Sequence, residues 1–240
     1  MRPYSLLLML PLLACSANAA ETDETAEARG SGPSRDYAMT GFSEVDLRGS
    51  DDVDVRVGPA FSVRAQGPAA ELDKLEITRS GDTLRIGRKK TVGMNWSDGE
   101  GVKVFVTLPR LTGAAVSGSG DLTVDRVEGE RFAGGVAGSG SLAVGAMRAG
   151  EVTLSVAGSG DVVGAGMARV LRMDIAGSGD IDARQVTASE ARISIAGSGN
   201  ARATVNGPAR IDLAGSGDVD LGGSPRCTTS KVGSGEVRCE

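Results

Sequence analysis

The 240-residue sequence contains no histidine, and that absence removes several chemistries at once. Histidine is the commonest general base near neutral pH and the commonest metal ligand, so His-based catalysis and His-containing zinc sites are excluded. Aromatic residues make up only 3% of the chain. A core built without them is narrow and made of Val, Ile, Leu and Ala, and a sugar site lined with aromatic platforms has little to draw on. Positive charge is not in excess. Lys and Arg number 26 against 31 Asp and Glu, a formal net charge of −5. Nucleic acids favour a basic surface, so that class of partner is set aside. Proline, at 8 residues, is too scarce for a collagen or a Pro-rich linker, although glycine, at 36, is about twice its usual frequency.

Long hydrophobic runs are also missing. The longest, Leu6 to Leu13, is too short to cross a hydrocarbon core of about 30 Å as a helix. With Arg2 before it, residues 1–19 read as an export signal. Ala17, Asn18 and Ala19 fit the small-x-small pattern of an ordinary signal-peptidase site, whereas Leu12, Leu13, Ala14 and Cys15 resemble a lipobox that would make Cys15 a lipidated first residue. Either cleavage takes the mature chain out of the cytoplasm, to the periplasm, outer membrane or cell surface. The chain has three cysteines: Cys15, Cys227 and Cys239. The last two are 12 apart and able to pair in an oxidising compartment, which leaves Cys15 for lipidation. Residues 20–36, "AETDETAEARGSGPSRD", are small, polar and acidic, and are expected to form a flexible tether.

What the chain has in abundance is one short string, repeated. The glycine opening each GSG stands at 118, 138, 158, 177, 197, 215 and 233, at spacings of 18 to 20 residues. That period is too short for a two-helix repeat and fits one coil of a β-solenoid. Two residues before the glycine come Val116, Val136, Val156, Ile175, Ile195 and Leu213. Beyond the corner come Leu122, Leu142, Val162, Ile181, Ala201, Val219 and Val237, and apolar residues alternate at period two on both sides. The expected fold is all-β: a single-stranded right-handed parallel β-helix with irregular N-terminal coils, occupying one domain from 37 to 240. The GSG is expected to turn a sharp corner on glycine's access to positive φ.

The fourth corner residue forms a polar ladder: Asp121, Ser141, Asp161, Asp180, Asn200, Asp218 and Glu236. Stacked acids repel, so the ladder is expected to face solvent or counterions. A degenerate copy at 45–55, "VDLRGSDDVDV", carries Asp51 where a glycine should stand, and reads as an atypical terminal coil. "LEITRSGDTLRIG" and "VKVFVTLPRL" read as strands, with Ser80, Gly81 and Asp82 at a turn and a longer loop at 87–101. In the last coil Lys231 replaces an inward apolar residue. Cys227 and Cys239 lie six before and six after Gly233, where they form either a staple across an open end or two free thiols.

The strings "GFSEVDLRGSDDVDV", "LDKLEITRSGDTLRIG" and "VKVFVTLPRLTGAAVSGSGDLTV", followed by serial "AGSGD" turns, resemble a bacterial family, the putative auto-transporter adhesin or head GIN domain proteins. The resemblance covers roughly residues 40–225. It implies a secreted or lipid-anchored envelope protein folded as a β-helix-like solenoid, and it brings no catalytic motif. The cysteine pair is not carried over from the family.

The function expected is a non-catalytic envelope module that binds a surface glycan or protein ligand, or serves structurally. It meets the membrane only through a lipid anchor, and needs no cofactor and no metal. A polysaccharide-active enzyme is the first alternative. Its aromatics would have to come from Phe42, Phe61, Phe105 and Phe132, which read mostly as core, or from Trp96 beside Asp98 and Glu100. Calcium binding along the ladder is the second, although one carboxylate per coil supplies few of the six to eight oxygens calcium takes. A phosphate-cradling loop needs a lysine and a following helix, and strands follow here. The basic "RIGRKK" at 85–90 reads as a solvated turn.

Overall fold

Period-two alternation becomes sheet along nearly the whole chain. A computed structural model describes residues 23–89 and 101–240; Cys15, Trp96, Asp98, Glu100 and Lys90 lie outside the described residues. The N-terminal part runs β1 (Glu24–Thr25), β2 (Ala28–Arg29), β3 (Ser34–Tyr37), β4 (Glu44–Gly49), β5 (Asp52–Val57), β6 (Ser62–Gln66), a one-turn helix α1 (Ala69–Leu72), β7 (Leu75–Ser80), β8 (Thr83–Arg88) and β9 (Lys103–Leu108). The repetitive part runs β10 (Gly113–Gly118), β11 (Asp121–Gly138), β12 (Ser141–Gly158), β13 (Asp161–Gly177), β14 (Ile181–Gly197), β15 (Ala201–Val205), β16 (Pro208–Gly215), β17 (Val219–Gly223), β18 (Arg226–Val232) and β19 (Val237–Cys239).

These strands stack in parallel into two walls of a β-solenoid. The first wall passes from β8 through β4, β10 and the second halves of β11–β14 to β16 and β18. The second passes from β9 through β5 and the first halves of β11–β14 to β15, β17 and β19. Val116, Val136, Val156, Ile175, Ile195 and Leu213 face one another in register and are all buried. Each coil buries its apolar face on its neighbours, so the core is one continuous column.

The coil has more corners than the glycine strings announce. Along β11 the inward residues are Leu122 and Val124, then Val127, then Phe132 and Val136. The alternation changes phase on either side of Val127, so the strand bends there twice. Variation in coil length is absorbed at these bends: registers slip between Val144 and Met147, and between Ala183 and Thr187, whereas every GSG stays aligned with the next.

Stack order departs from chain order at the N-terminal end. The degenerate coil β4–β5 is not terminal, because β8 and β9 lie outside it. The outer face is closed by antiparallel strands: β7 on β8, β6 on β9, β3 on β6, β2 on β3 and β1 on β7. Part of the expected tether is therefore structured. Glu24–Thr25 and Ser34–Tyr37 pair with the domain, and Tyr37 is buried against the core. An open parallel edge exposes unpaired backbone groups, and these strands cover it.

Among the described residues the other end has no such cover. Cys227, Thr229 and Lys231 continue the register of buried Ala209, Ile211 and Leu213 but are half-buried or exposed. Lys231 Nζ turns back to donate to the Gly235 carbonyl at 2.8 Å. Cys227 and Cys239 are bonded, with Cα atoms 6.6 Å apart, so the staple reading holds over two free thiols.

Candidate functional site

The corner ladder is spent on the scaffold. Ser141 Oγ donates to Asp121 Oδ1 at 2.6 Å. From Asp161 onward, each side chain accepts the backbone N–H of the next ladder residue. Asp180 N–H donates to Asp161 Oδ1 at 3.0 Å, and Asn200 N–H to Asp180 Oδ1 at 2.8 Å. Asp218 N–H donates to Asn200 Oδ1 at 3.0 Å, and Glu236 N–H to Asp218 Oδ1 at 2.8 Å. The position calls for an acceptor rather than a charge, which is why Asn200 serves among the acids. Among the described residues no group of three or more His, Cys, Asp or Glu is placed to hold a metal ion.

Both corner glycines let coils approach, a Cβ on Gly158 falling 2.5 Å from the Gly138 carbonyl oxygen, but they differ in backbone conformation. Gly158 has φ +126, as expected of a bend, whereas Gly160 has no positive φ. A Cβ on Gly160 would fall 2.2 Å from the Gly140 carbonyl oxygen of the preceding coil. At Gly160 close approach is the whole reason for glycine, whereas the first glycine adds the positive φ.

At the degenerate coil, the missing glycine is replaced by an ion network. Asp51 is fully buried; Arg88 Nε donates to its Oδ2 at 2.8 Å, Arg88 Nη2 donates to Oδ1, and Val102 N–H donates to Oδ1 at 3.1 Å. Arg88 also pairs with Glu71, which takes Lys74 Nζ at 2.7 Å. Hydrogen bonds from Lys74 and then Arg88 hold the Glu71 carboxyl below its usual range, and Asp51 above all raises the Arg88 guanidinium. The described part of the basic stretch is not the turn expected of it: Arg85 to Arg88 lie in β8, and at the surface Arg85 meets Asp23 at 3.4 Å and Lys89 Nζ donates to the Asp73 carbonyl at 2.8 Å.

The aromatics divide. Phe42 and Phe132 are core, and the Phe42 ring meets that of Phe61 at a tilt of 58°, centroids 5.0 Å apart. Phe105 points outward with Lys103 Nζ 5.6 Å over its ring, because Val104, Val106 and Leu108 take the inward register of β9.

Side chains not absorbed by the scaffold gather on the outside of the first wall. Arg172, Arg192 and Arg210 stand in direct register on β13, β14 and β16. Each has an acidic neighbour: Glu151 at 2.6 Å, Glu190 at 2.8 Å and Asp212 at 3.2 Å. The three arginines line a concavity of about 190 Å³ with Asp174 and Ser194. Towards the N-terminal end the same wall opens into a cleft of about 860 Å³, lined by Arg110, Arg131 and Arg169 with Glu44, Glu130 and Glu151. Among the described residues Arg110 and Arg169 make no side-chain hydrogen bond or ion pair, and Arg131, 86% exposed, reaches Glu151 only at 3.9 Å. The Arg172 hydrogen bond, helped by Arg131 and Arg169, keeps the Glu151 carboxyl below its usual range. Phe132 beneath the cleft is 2% exposed, and none of the exposed large apolar side chains, Val163, Met167 and Val232, lines the cleft. Such a surface suits anionic oxygens, which guanidinium groups bind through paired N–H donors. The sequence reading missed it, although a signal was there: Arg172, Arg192 and Arg210 each stand five residues before their corner glycine.

Among the described residues no helix is long and apolar enough to cross a membrane. No curated protein matches the chain. Solved structures share its fold. A putative adhesin from Bacteroides fragilis superposes with a TM-score of 0.78 at 21% identity, over 85% of this chain and 94% of that one. A putative lipid binding protein from Parabacteroides distasonis gives 0.69 at 22%, over 88% and 97%, and a putative adhesin from Parabacteroides merdae 0.69 at 17%, over 88% and 97%. Residues 41–225 match the family described as putative auto-transporter adhesin, head GIN domain, and the chain belongs to that family.

Proposed function

We propose that the protein is a non-catalytic, exported binding module of the cell envelope, adhesin-like in role and tethered by a lipid on Cys15. The observation that carries this reading is the division of the polar groups. The corner ladder and the Asp51–Arg88 network are used inside the scaffold, while the first wall presents Arg110, Arg131 and Arg169 to solvent in an open cleft. An open, arginine-lined trough on a rigid wall suits holding a ligand more than transforming it. The adhesin description of the family and the export signal at residues 1–19 agree with that role.

The test is fractionation of a bacterial host expressing the full chain, with the mass of the mature N-terminus. The expected product begins at an acylated Cys15, sediments with membranes, and is released by Cys15→Ser. The released chain should then co-sediment with intact bacterial envelopes. A chain retained in the cytoplasm, or one that stays in the supernatant with envelopes present, would refute the reading.

A lipid-binding reading would draw on the neighbour from Parabacteroides distasonis named for it and on Val163 and Met167, exposed at 52% and 51% on β13. Two side chains are a small part of the few hundred Å² of apolar surface that marks such a site.

A further inference from the structure

We propose that the arginine side of the first wall binds an acidic polysaccharide whose chain lies along the solenoid axis, running from the Arg110–Arg131–Arg169 cleft over Arg172, Arg192 and Arg210. The proposal rests on the binding-module reading and names its ligand class.

Free donors come first. Among the described residues Arg110 and Arg169 form no ion pair within 4.0 Å, Arg169 acting on Glu151 only at longer range, in a chain whose net charge is −5. Guanidinium groups left open at the rim of a cleft are ready-made seats for carboxylate or sulfate. Arg172, Arg192 and Arg210 are 40%, 47% and 66% exposed and use only part of their donor sets on Glu151, Glu190 and Asp212. A guanidinium carries five N–H donors, so a ligand anion can be added without breaking the existing pair.

Geometry then favours a polymer. In-register side chains on neighbouring parallel strands repeat about every 4.8 Å. Arg172, Arg192 and Arg210 therefore form a regular row, and the row leads away from the cleft, whose lining already includes Ala133 and Thr153 in the same column. A small anion would fill the cleft and leave the row unused. An extended chain uses both.

Charge mixing selects which polymer. Glu44, Glu130 and Glu151 share the cleft with the arginines, and Glu190 and Asp212 flank the row. A duplex nucleic acid, with one charge per ~1.7 Å of its axis, would be repelled by those acids. A uronate or sulfated glycan has wider spacing between charges and hydroxyl groups between them. Its anions meet arginine, and its hydroxyls donate to the acids. A lipid bilayer is disfavoured because the cleft is ringed by arginines and glutamates and none of the exposed large apolar side chains, Val163, Met167 and Val232, lines it.

The experiment measures retention of the purified mature chain on immobilised polygalacturonate, with neutral dextran and phosphatidylglycerol vesicles as comparisons. Retention on polygalacturonate, falling with salt and absent on dextran, is expected. Arg110→Ser with Arg169→Ser should weaken it about tenfold or more, since each lost charge-assisted contact costs at least a several-fold factor. Arg192→Ser with Arg210→Ser should weaken binding of the polymer but not of trigalacturonate, which reaches only the cleft. Arg56→Ser with Arg184→Ser, exposed on the second wall, removes the same charge and should change little. No retention at low salt, equal loss in all three double variants, or stronger binding to the vesicles would each overturn the proposal. Envelope co-sedimentation that survives Arg110→Ser with Arg169→Ser would sink the glycan assignment and leave the binding-module reading standing.

Discussion

Replacing Gly179 by alanine tests the claim that the second corner glycine is there for approach between coils. An ideal Cβ at Gly179 lies 1.9 Å from the Gly160 carbonyl oxygen and 2.7 Å from Val156 Cγ1. Ordinary contact needs about 3.4 Å, so one coil must move by roughly 1.5 Å on a step of about 4.8 Å. That displacement breaks or stretches the bonds from Ser178 N–H and Gly179 N–H to the Gly158 carbonyl, at 2.8 and 3.1 Å, and from Asp180 N–H to Asp161 Oδ1 at 3.0 Å. Each is worth about 1 kcal/mol net, and overpacking adds a further ~1–3 kcal/mol. Partial relaxation of the corner brings the expected loss to about 4 kcal/mol, or roughly 10 °C in melting midpoint for a domain of this size. Gly222→Ala is the matched comparison, because nothing lies within 4 Å of its Cβ and its φ is not positive. It should be neutral, or stabilising by up to about 1 kcal/mol through the unfolded chain. Thermal and urea unfolding followed by far-UV circular dichroism reads both. If Gly179→Ala and Gly222→Ala unfold within about 1 kcal/mol of each other, the close-approach argument is wrong.

The ladder should depend on acceptor character: Asp180→Ala, which orphans the half-buried Asn200 N–H, should cost about 1–3 kcal/mol, while Asp180→Asn should cost under about 0.5 kcal/mol in the same unfolding assay. Asp51→Gly would restore the repeat's own residue yet strip Arg88 and the Val102 amide of their acceptor. A loss of about 3 kcal/mol is expected, and a gain would show that the network is dispensable. Cys227→Ser opens the loop between residues 227 and 239, worth about 3 kcal/mol by loop-closure entropy. Hydrogen exchange should show protection lost in β18 and β19 and kept in β11–β14. The Glu71 carboxyl has a lowered folded value, so its contribution is complete above its ordinary 4.5 and is lost as pH falls through that lowered value. Acid unfolding of Glu71→Gln should therefore lack this part of the wild-type pH dependence below 4.5, and identical acid profiles would exclude it.

Legibility in the sequence followed repetition. Val116, Val136 and Val156 recur at a fixed distance from GSG because each must fill the same place in the core, so period and registry could be read without coordinates. The two bends beside Val127 lack such a marker, since several outward residues serve there equally well and only Val127, Met147 and Val186 record the inward position. The order of the N-terminal coils was invisible for a different reason. β8 and β9 carry the same alternation whichever side of β4 and β5 they occupy, and pairing partners are chosen by long-range packing that no local pattern encodes. The acidic stretch at 20–36 read as a tether from composition alone, but backbone pairing asks nothing of side-chain polarity, and Ser34–Tyr37 joins β6 through main-chain bonds. The ladder faces solvent as its charge suggests, and what the residue types do not reveal is that from Asp161 to Asp218 each side-chain oxygen reaches across to the amide of the next coil.

The same contrast explains why the arginine side escaped the repeat reading. A residue that must satisfy its equivalent in the next coil is copied into every coil, as the corner glycines and ladder acceptors are. Outward wall positions satisfy no backbone group of the next coil, so they are free to differ: the column holding Arg172, Arg192 and Arg210 starts with Thr83, Glu44, Gly113, Ala133 and Thr153 and ends with Thr228. Three consecutive arginines there are not required by any contact of the fold, since Thr153 and Thr228 occupy the same register without them. Their ion pairs with Glu151, Glu190 and Asp212 lie on a solvent-exposed face, where such pairs contribute about 1 kcal/mol or less each. A feature that costs long side chains their freedom and adds little stability is better explained by what it meets outside the solenoid than by what it does within it.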